Sequence, residues 1–208
     1  MDIKPINTQY KGYSFRSRLE ARWAVFFDAL NLNWQYEVEG YDLGVSGWYL
    51  PDFVVTSPQG HKYIYEIKPK GSEEGKEKLK ILLRHLKLYG DVLSGDPVDV
   101  LIDKKEIVIY GDIKGMVQKK YICPRCGLIQ DSSSYGCDEN YTVTCYPCDF
   151  ETPSGHGNPL EKSLLFSNIE YEPYKGDIIT DRENTIRLWN IIVRAANKAR
   201  SARFEHLT

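Results

Sequence analysis

The sequence WYLPDFVVTSPQGHKYIYEIK, residues 48–68, decides the fold of the first half of the chain. Aromatic and β-branched residues dominate its two ends, 48–56 and 62–68, and such residues are enriched in strands. Residues that favour turns, namely Ser, Pro, Gln and Gly, separate the two ends at 57–60. The segment therefore predicts two neighbouring strands joined by a short loop.

Three charged residues of this segment form a candidate site. Asp52 follows a proline in the first strand, and Glu66 and Lys68 lie two apart in the second, so the latter two project from one face. Carboxylates at neighbouring strand ends can share a Mg²⁺ ion, which polarises a phosphoryl oxygen and activates a bound water. A nearby lysine stabilises charge that develops on a phosphate. The set favours phosphodiester hydrolysis, although an E-x-K triplet alone is common among surface charges.

The pairing register decides whether the two acids can meet. A four-residue loop at 57–60 pairs Asp52 with Tyr65, on the wrong face for Glu66. A five-residue loop that includes His61, or a single bulge, pairs Asp52 with Glu66 instead. The functional interpretation therefore predicts one of these two arrangements.

Outward from this segment, the pattern predicts one α/β domain over residues 10–115. Apolar residues recur at helical spacing over 17–30, and Ser17 followed by Glu20 fits a capping box at the start of that helix. The other predicted elements are a strand at 34–38, a helix at about 73–89, and strands at 98–102 and 106–110. An order of helix, three strands, helix and strands is typical of an α/β class.

The remainder of the chain divides into two parts. Residues 119–152 contain few aliphatic side chains and cannot build a core of their own, so they need a metal. Residues 153–208 read as a linker followed by a helix at about 182–205 that packs back on the core.

Four cysteines predict a structural zinc site in the 119–152 module. They form two C-x₂-C pairs separated by 18 residues, a spacing typical of a zinc ribbon. All four positions of a tetrahedral zinc would be filled by thiolates, which leaves no place for catalysis. The fifth cysteine, Cys137, is interpreted as a bystander. The predicted zinc ligands are Cys123, Cys126, Cys145 and Cys148.

Composition narrows the class of protein. The 208 residues carry a formal net charge of −2, so any affinity for nucleic acid must come from local basic faces. No stretch approaches the roughly 18 apolar residues of a membrane span, and the first residues lack an apolar signal core. We expect a cytoplasmic protein with reduced cysteines and no membrane partner. The candidate nucleic-acid contacts, each of which could equally be a solvated surface charge, are Arg18, Arg22, Lys76, Lys80, Arg84, Lys119, Lys120 and Arg125.

The motifs together resemble a known superfamily. Pro51-Asp52 followed by Glu66-Ile67-Lys68 matches the PD-(D/E)xK nuclease motif, and the order of elements is similar to that superfamily's core. The sequences FRSRLEARWA, at 15–24, and GWYLPDF, at 47–53, resemble small nuclease-like proteins encoded by bacteriophages. The resemblance implies a restriction-endonuclease-like core with an added zinc ribbon and a C-terminal helix.

The same resemblance implies a function and a ligand set. Asp52, Glu66 and the backbone carbonyl of Ile67 would bind catalytic Mg²⁺ or Mn²⁺, and Lys68 would lie beside the attacking water. Glu20 matches a further metal-site position of many members, although its capping role competes with this. The expected activity is a DNA endonuclease, phage-encoded and therefore found in the host cytoplasm. The alternatives are a non-catalytic module that binds nucleic acid or a host protein, and a nuclease acting on branched DNA or RNA.

Overall fold

The computed structural model describes residues 6–57, 60–72, 74–101, 120–122, 128–131, 135–137, 143–145, 150–152 and 178–204. Its helices are α1 (Arg18–Ala29), α2 (Lys76–Leu86), α3 (Pro97–Leu101) and α4 (Ile178–Ser201). The strands of the first half are β1 (Thr8–Tyr10), β2 (Tyr13–Phe15), β3 (Asn33–Tyr36), β4 (Tyr41–Asp42), β5 (Trp48–Tyr49), β6 (Phe53–Thr56), β7 (Lys62–Lys68) and β8 (Tyr89–Ser94). Those further along are β9 (Lys120–Ile122), β10 (Ile129–Asp131), β11 (Tyr135–Cys137), β12 (Val143–Cys145) and β13 (Phe150–Thr152).

A four-stranded sheet in the order β3-β6-β7-β8 organises the first half of the chain. β3, β6 and β7 pair antiparallel, whereas β7 and β8 pair parallel. Parallel neighbours need a crossover connection, and α2 lies in the segment that links these two strands. Along the chain α1 precedes β3, so the order is helix, three sheet strands, helix, strand, with the β4-β5 hairpin inserted before β6. The predicted α/β class is confirmed.

The register of β6 and β7 answers the question of whether the two acids meet. Phe53 pairs with Tyr65 and Val54 with Ile64, so the next position along places Asp52 opposite Glu66. Five residues, 57–61, separate the two strands in the sequence, and the Ser57 N–H donates to the His61 carbonyl at 2.8 Å. The predicted five-residue loop is confirmed.

Helices cover both faces of the sheet, which explains why β7 is buried almost throughout. Tyr63, Tyr65 and Ile67 lie in the larger apolar cluster with α1 and α4, whereas the intervening Ile64 packs with the α2 residues Leu79 and Leu82. Aromatic rings dominate the larger cluster. Phe27 of α1, for example, stacks on Tyr65 with ring centroids 5.9 Å apart. A strand covered on both faces needs apolar side chains at nearly every position.

α4 packs against α1 through small residues. Ala195, Ala196 and Ala199 are buried in the cluster that α1 also forms. At the end of α4, Arg200 forms two hydrogen bonds with the buried Asp96 carboxylate, at 2.7 and 2.8 Å. The C-terminal helix therefore belongs to the same core as α1, while the proposed division of the chain into domains stays a prediction.

The sequence-based assignment was wrong at residues 89–101. β8 was not predicted, and residues 98–101 of the strand predicted at 98–102 belong to the helix α3 instead. The Asp96 carboxylate accepts hydrogen bonds from the Val98 and Asp99 N–H groups, and Pro97 occupies the first helical position. An acidic cap followed by proline favours a helix start over a strand.

Two further assignments need adjustment. The strand predicted at 48–56 is divided into β5 and β6 by Leu50-Pro51-Asp52, and this break lets the Asp52 carbonyl accept the Glu37 N–H at 2.9 Å. The strand predicted at 106–110 lies outside the described residues. So does most of the linker at 153–180.

Much of the cysteine module also lies outside the described residues, including Cys123, Cys126 and Cys148 and the basic residues Lys119 and Arg125. Cys145 ends β12, and Lys120 begins β9. The β9-β10 hairpin touches the first half of the chain, because the Ile129 N–H donates to the Tyr65 hydroxyl at 2.8 Å. In the described part of the chain, the helices are each too short or too polar to span a bilayer.

Candidate functional site

Asp52 and Glu66 are both buried, with 2% and 5% of their surface exposed. The main chain and an arginine hold Asp52. Its Oδ2 accepts the Ile67 N–H at 2.7 Å, and its Oδ1 accepts from Arg16 Nη2 at 3.0 Å. The break between β5 and β6 and the register of β7 thus bring this carboxylate to the position next to Glu66.

Glu66 is held by two side-chain contacts. Its Oε2 accepts the Tyr49 hydroxyl at 2.8 Å, and its Oε1 pairs with Lys68 Nζ at 2.7 Å. The carboxylate lies beneath the start of α2, where a Cβ at Gly75 would come within 3.5 Å of Glu66 Oε1. Gly75 also adopts a φ of 83°, a conformation that favours glycine. The Cβ distance is an ordinary contact, so the backbone conformation is what favours glycine at this position.

The two acids repel each other, as a cation-binding pair should. Burial and then the charge of Glu66 raise the pKa of Asp52 to about 7, against the hydrogen bond from Ile67 and the charge of Lys68. The ion pair with Arg16 does not reverse this, because the Arg16 side chain is 60% exposed and is shared with Glu37. Bringing a cation to this pair would relieve the repulsion.

Lys68 stays a cation within this cluster. Burial lowers its pKa, but the hydrogen bond to Glu66 and the charges of Glu66 and Asp52 raise it further, and the net result is a raised pKa. The side chain is 22% exposed, so its ammonium group lies at the border between the acids and solvent. That is a suitable position for stabilising an anion that approaches from outside.

Glu20 is close to this cluster but is occupied by capping contacts. Its carboxylate accepts from the Ser17 hydroxyl at 2.8 Å, the Arg16 N–H at 3.0 Å and the Tyr36 hydroxyl at 2.5 Å. The Glu20 N–H in turn donates to Ser17 Oγ at 3.2 Å, so the predicted cap at Ser17 is confirmed. The charge of Glu20 also raises the pKa of Asp52, so the two carboxylates interact electrostatically. A role for Glu20 in metal binding stays a prediction.

Ser17→Ala tests the cap itself. We expect the variant to lose about 1 kcal/mol of unfolding free energy, because a helix N–H and a buried carboxylate each lose a hydrogen bond. Urea unfolding measures the change. Ser14→Ala makes the same deletion at an exposed position of β2 and should leave stability unchanged. Equal stability of the two variants would contradict the capping role.

Arg16 and Glu37 are among the site residues that the sequence did not single out, and Tyr49, which donates to Glu66, is another. The Arg16 guanidinium bridges the carboxylates of Asp52 and Glu37. Arg16 lies between β2 and α1, and Glu37 directly follows β3 with a positive φ of 46°. Arg16 precedes the predicted helix, and Glu37 falls within the strand predicted at 34–38, which ends at Tyr36. The one indication in the sequence was that Arg16 precedes the helix cap whose glutamate was already a candidate.

Five of the proposed nucleic-acid contacts lie on two helices, α1 and α2. Arg18 is exposed in the first turn of α1, whereas Arg22 turns towards Asp96, with 3.8 Å between Arg22 Nη1 and Asp96 Oδ2. On α2, Lys80 pairs with Glu77 at 2.8 Å. The other two candidates on α2 are Lys76, which is partly buried, and Arg84, which is exposed.

The candidate site offers oxygen donors of the kind that Mg²⁺ and Mn²⁺ prefer. Within the described ranges, no group of three or more His, Cys, Asp or Glu side chains is placed to hold a metal ion. The acids that do meet are Asp52 and Glu66, and Mg²⁺ is usually bound by one or two carboxylates with waters completing its shell. Ile67, whose carbonyl is the expected third ligand, lies between Glu66 and Lys68 on β7. The residues present fit such an ion.

Comparison with known proteins finds no significant match for the chain. No protein-family model, curated protein or solved structure matches the chain significantly.

Proposed function

We propose that the chain is a metal-dependent endonuclease that hydrolyses DNA phosphodiester bonds on a restriction-endonuclease-like core. The observation that carries the proposal is the register that sets Asp52 opposite Glu66, with Lys68 Nζ 2.7 Å from Glu66. Two buried acids that can hold a divalent ion, together with a protonated lysine, suit metal-dependent phosphodiester hydrolysis.

The roles of the residues follow from their contacts. Asp52, Glu66 and the Ile67 carbonyl would hold Mg²⁺ or Mn²⁺, which when bound supplies a water of lowered pKa and polarises a phosphoryl oxygen. The Ile67 N–H and the Tyr49 hydroxyl orient the two carboxylates, through bonds of 2.7 and 2.8 Å. Lys68 orients the attacking water and stabilises the negative charge that grows on the phosphate.

The cysteine module has a separate, structural role in this proposal. Cys123 and Cys126 fall between β9 and β10 in the sequence, and Cys148 falls between β12, which Cys145 ends, and β13. A zinc ribbon places its cysteine pairs at such hairpin turns, so we propose a structural Zn²⁺ at the four thiols. The contact of the β9-β10 hairpin with Tyr65 would let this module position DNA beside the nuclease core.

A substrate panel tests the activity. Purified protein is incubated with plasmid, branched and single-stranded DNA and with RNA, each in Mg²⁺, in Mn²⁺ and in EDTA. We expect cleavage of at least one DNA in metal and none in EDTA. DNA binding without cleavage in any metal would favour a binding module instead, and cleavage confined to RNA would contradict the DNA assignment.

A further inference from the structure

Arg16 makes a contact that the proposed chemistry does not use. Asp52 Oδ2 already accepts the Ile67 N–H, so a cation would bind this carboxylate most readily through Oδ1. Arg16 Nη2 lies 3.0 Å from that Oδ1. The guanidinium thus lies where a metal ion that binds Asp52 through Oδ1 would compete with it.

The anchoring of Arg16 allows its side chain to move while its backbone stays in place. Its N–H donates to Glu20 and to the Tyr36 hydroxyl, at 3.0 and 3.2 Å, which fixes the main chain at the start of α1. The side chain itself is 60% exposed, and its second partner, Glu37, lies outside the proposed ligand set. Glu37 would keep the guanidinium close to the site after Asp52 releases it.

We propose that Arg16 is a placeholder cation that neutralises Asp52 until a divalent ion binds, and that its displaced guanidinium then binds a phosphate of the substrate beside the metal. This inference rests on the proposed nuclease function. Guanidinium groups bind carboxylates and phosphates through the same planar donor geometry, so one side chain suits both partners. When Arg16 exchanges the Asp52 carboxylate for a substrate phosphate, metal binding and substrate binding become coupled.

A purely structural role for Arg16 predicts a different outcome. If the guanidinium merely held Asp52 in position, its removal would disorder a metal ligand and weaken metal binding. A placeholder competes with the metal, so its removal strengthens metal binding. The direction of the change therefore separates the two roles, and it is measured without any cleavage.

Calorimetric titration of metal-free protein with Mn²⁺ provides this measurement. We expect Arg16→Gln to bind Mn²⁺ about five- to tenfold more tightly than the original chain, since a charge-assisted contact no longer competes. Lys62→Gln removes one positive charge at the far end of β7, roughly 20 Å from Lys68, and should change the affinity less than about twofold. Equal or weaker Mn²⁺ binding by Arg16→Gln would overturn the proposal.

DNA affinity supplies the second measurement. With Ca²⁺ present and fluorescence anisotropy as readout, we expect Arg16→Gln to bind a labelled DNA about tenfold more weakly than the original chain. Arg16→Lys keeps the charge but loses the planar geometry, so its Mn²⁺ affinity should stay near the original while its DNA affinity falls. Unchanged DNA affinity in Arg16→Gln would overturn the proposed contact between Arg16 and a substrate phosphate.

Failure of this proposal is distinguishable from failure of the nuclease proposal. If the original chain bound no Mn²⁺, or bound it equally well after Asp52→Asn, both proposals would fall. If Mn²⁺ binding depended on Asp52 but did not tighten in Arg16→Gln, only the placeholder role would fall.

Discussion

Asp52→Asn and Glu66→Gln should each lower the rate of DNA cleavage in Mn²⁺ by more than about 100-fold, because even outer partners of metal ligands contribute 10- to 100-fold. Each substitution replaces one carboxylate oxygen by an amide group of nearly the same size. The Asn side chain still offers an oxygen to the Ile67 N–H, and the Gln side chain still offers one to the Tyr49 hydroxyl. The fold should therefore persist while the negative charge that attracts the metal is lost.

The matched control is Asp28→Asn. Asp28 lies on α1, about 12 Å along the helix from Glu20 by its rise per residue, and its carboxylate pairs with Lys11 at 2.9 Å. Cleavage rates on the preferred substrate, measured over a range of Mn²⁺ concentrations, should be unchanged in this variant. Full cleavage by either active-site variant would show that the two acids do not carry the reaction.

The facing pair of acids could be predicted from the sequence because local rules determine it. Strand character from Lys62 to Lys68 is strong, and side chains alternate between the two faces of a strand. Loop length then leaves few registers, and the observed one is the register that the functional interpretation predicts. The helix start at Ser17 could also be predicted from the sequence, because the capping serine and its glutamate lie three residues apart.

Residues 89–101 show where local rules fail. The sequence YGDVLS of β8 mixes polar and apolar residues, and it forms a strand because β7 offers a parallel partner beside it. The run at 97–101, PVDVL, is apolar and short, and its periodicity does not separate a strand from a helix turn. The hydrogen bond from the Val98 N–H to the Asp96 carboxylate favours the helix over the strand. The same carboxylate also binds Arg200, which lies more than 100 residues away in sequence.

Arg16 and Glu37 could not be predicted for a similar reason. Both lie in connecting segments next to a strand or a helix, where no repeat constrains the direction of a side chain. Their meeting at Asp52 depends on β3 pairing with β6 and on α1 packing against the sheet. Only the assembled core determines such a contact.

Stability should depend on pH through Asp52, because its pKa in the folded protein, about 7, lies above the ordinary value of 3.8. A raised pKa means that the folded state binds this proton more readily than the unfolded state. The resulting stabilisation is fully present below about pH 4 and is lost as the pH rises through about 7. The difference in pKa corresponds to a loss of about 2–4 kcal/mol between pH 4 and pH 8.

Asp52→Asn isolates this contribution. Urea unfolding in EDTA at several pH values should show the original chain losing more stability than the variant as the pH rises, and the variant should be the more stable of the two at pH 8. Titrating groups that do not interact with Asp52 affect both proteins equally and cancel in the difference. Parallel pH profiles would contradict the raised pKa. Saturating Mn²⁺ should restore the stability of the original chain at pH 8 and leave the variant almost unchanged, because the ion binds the folded state through the carboxylate that the variant lacks.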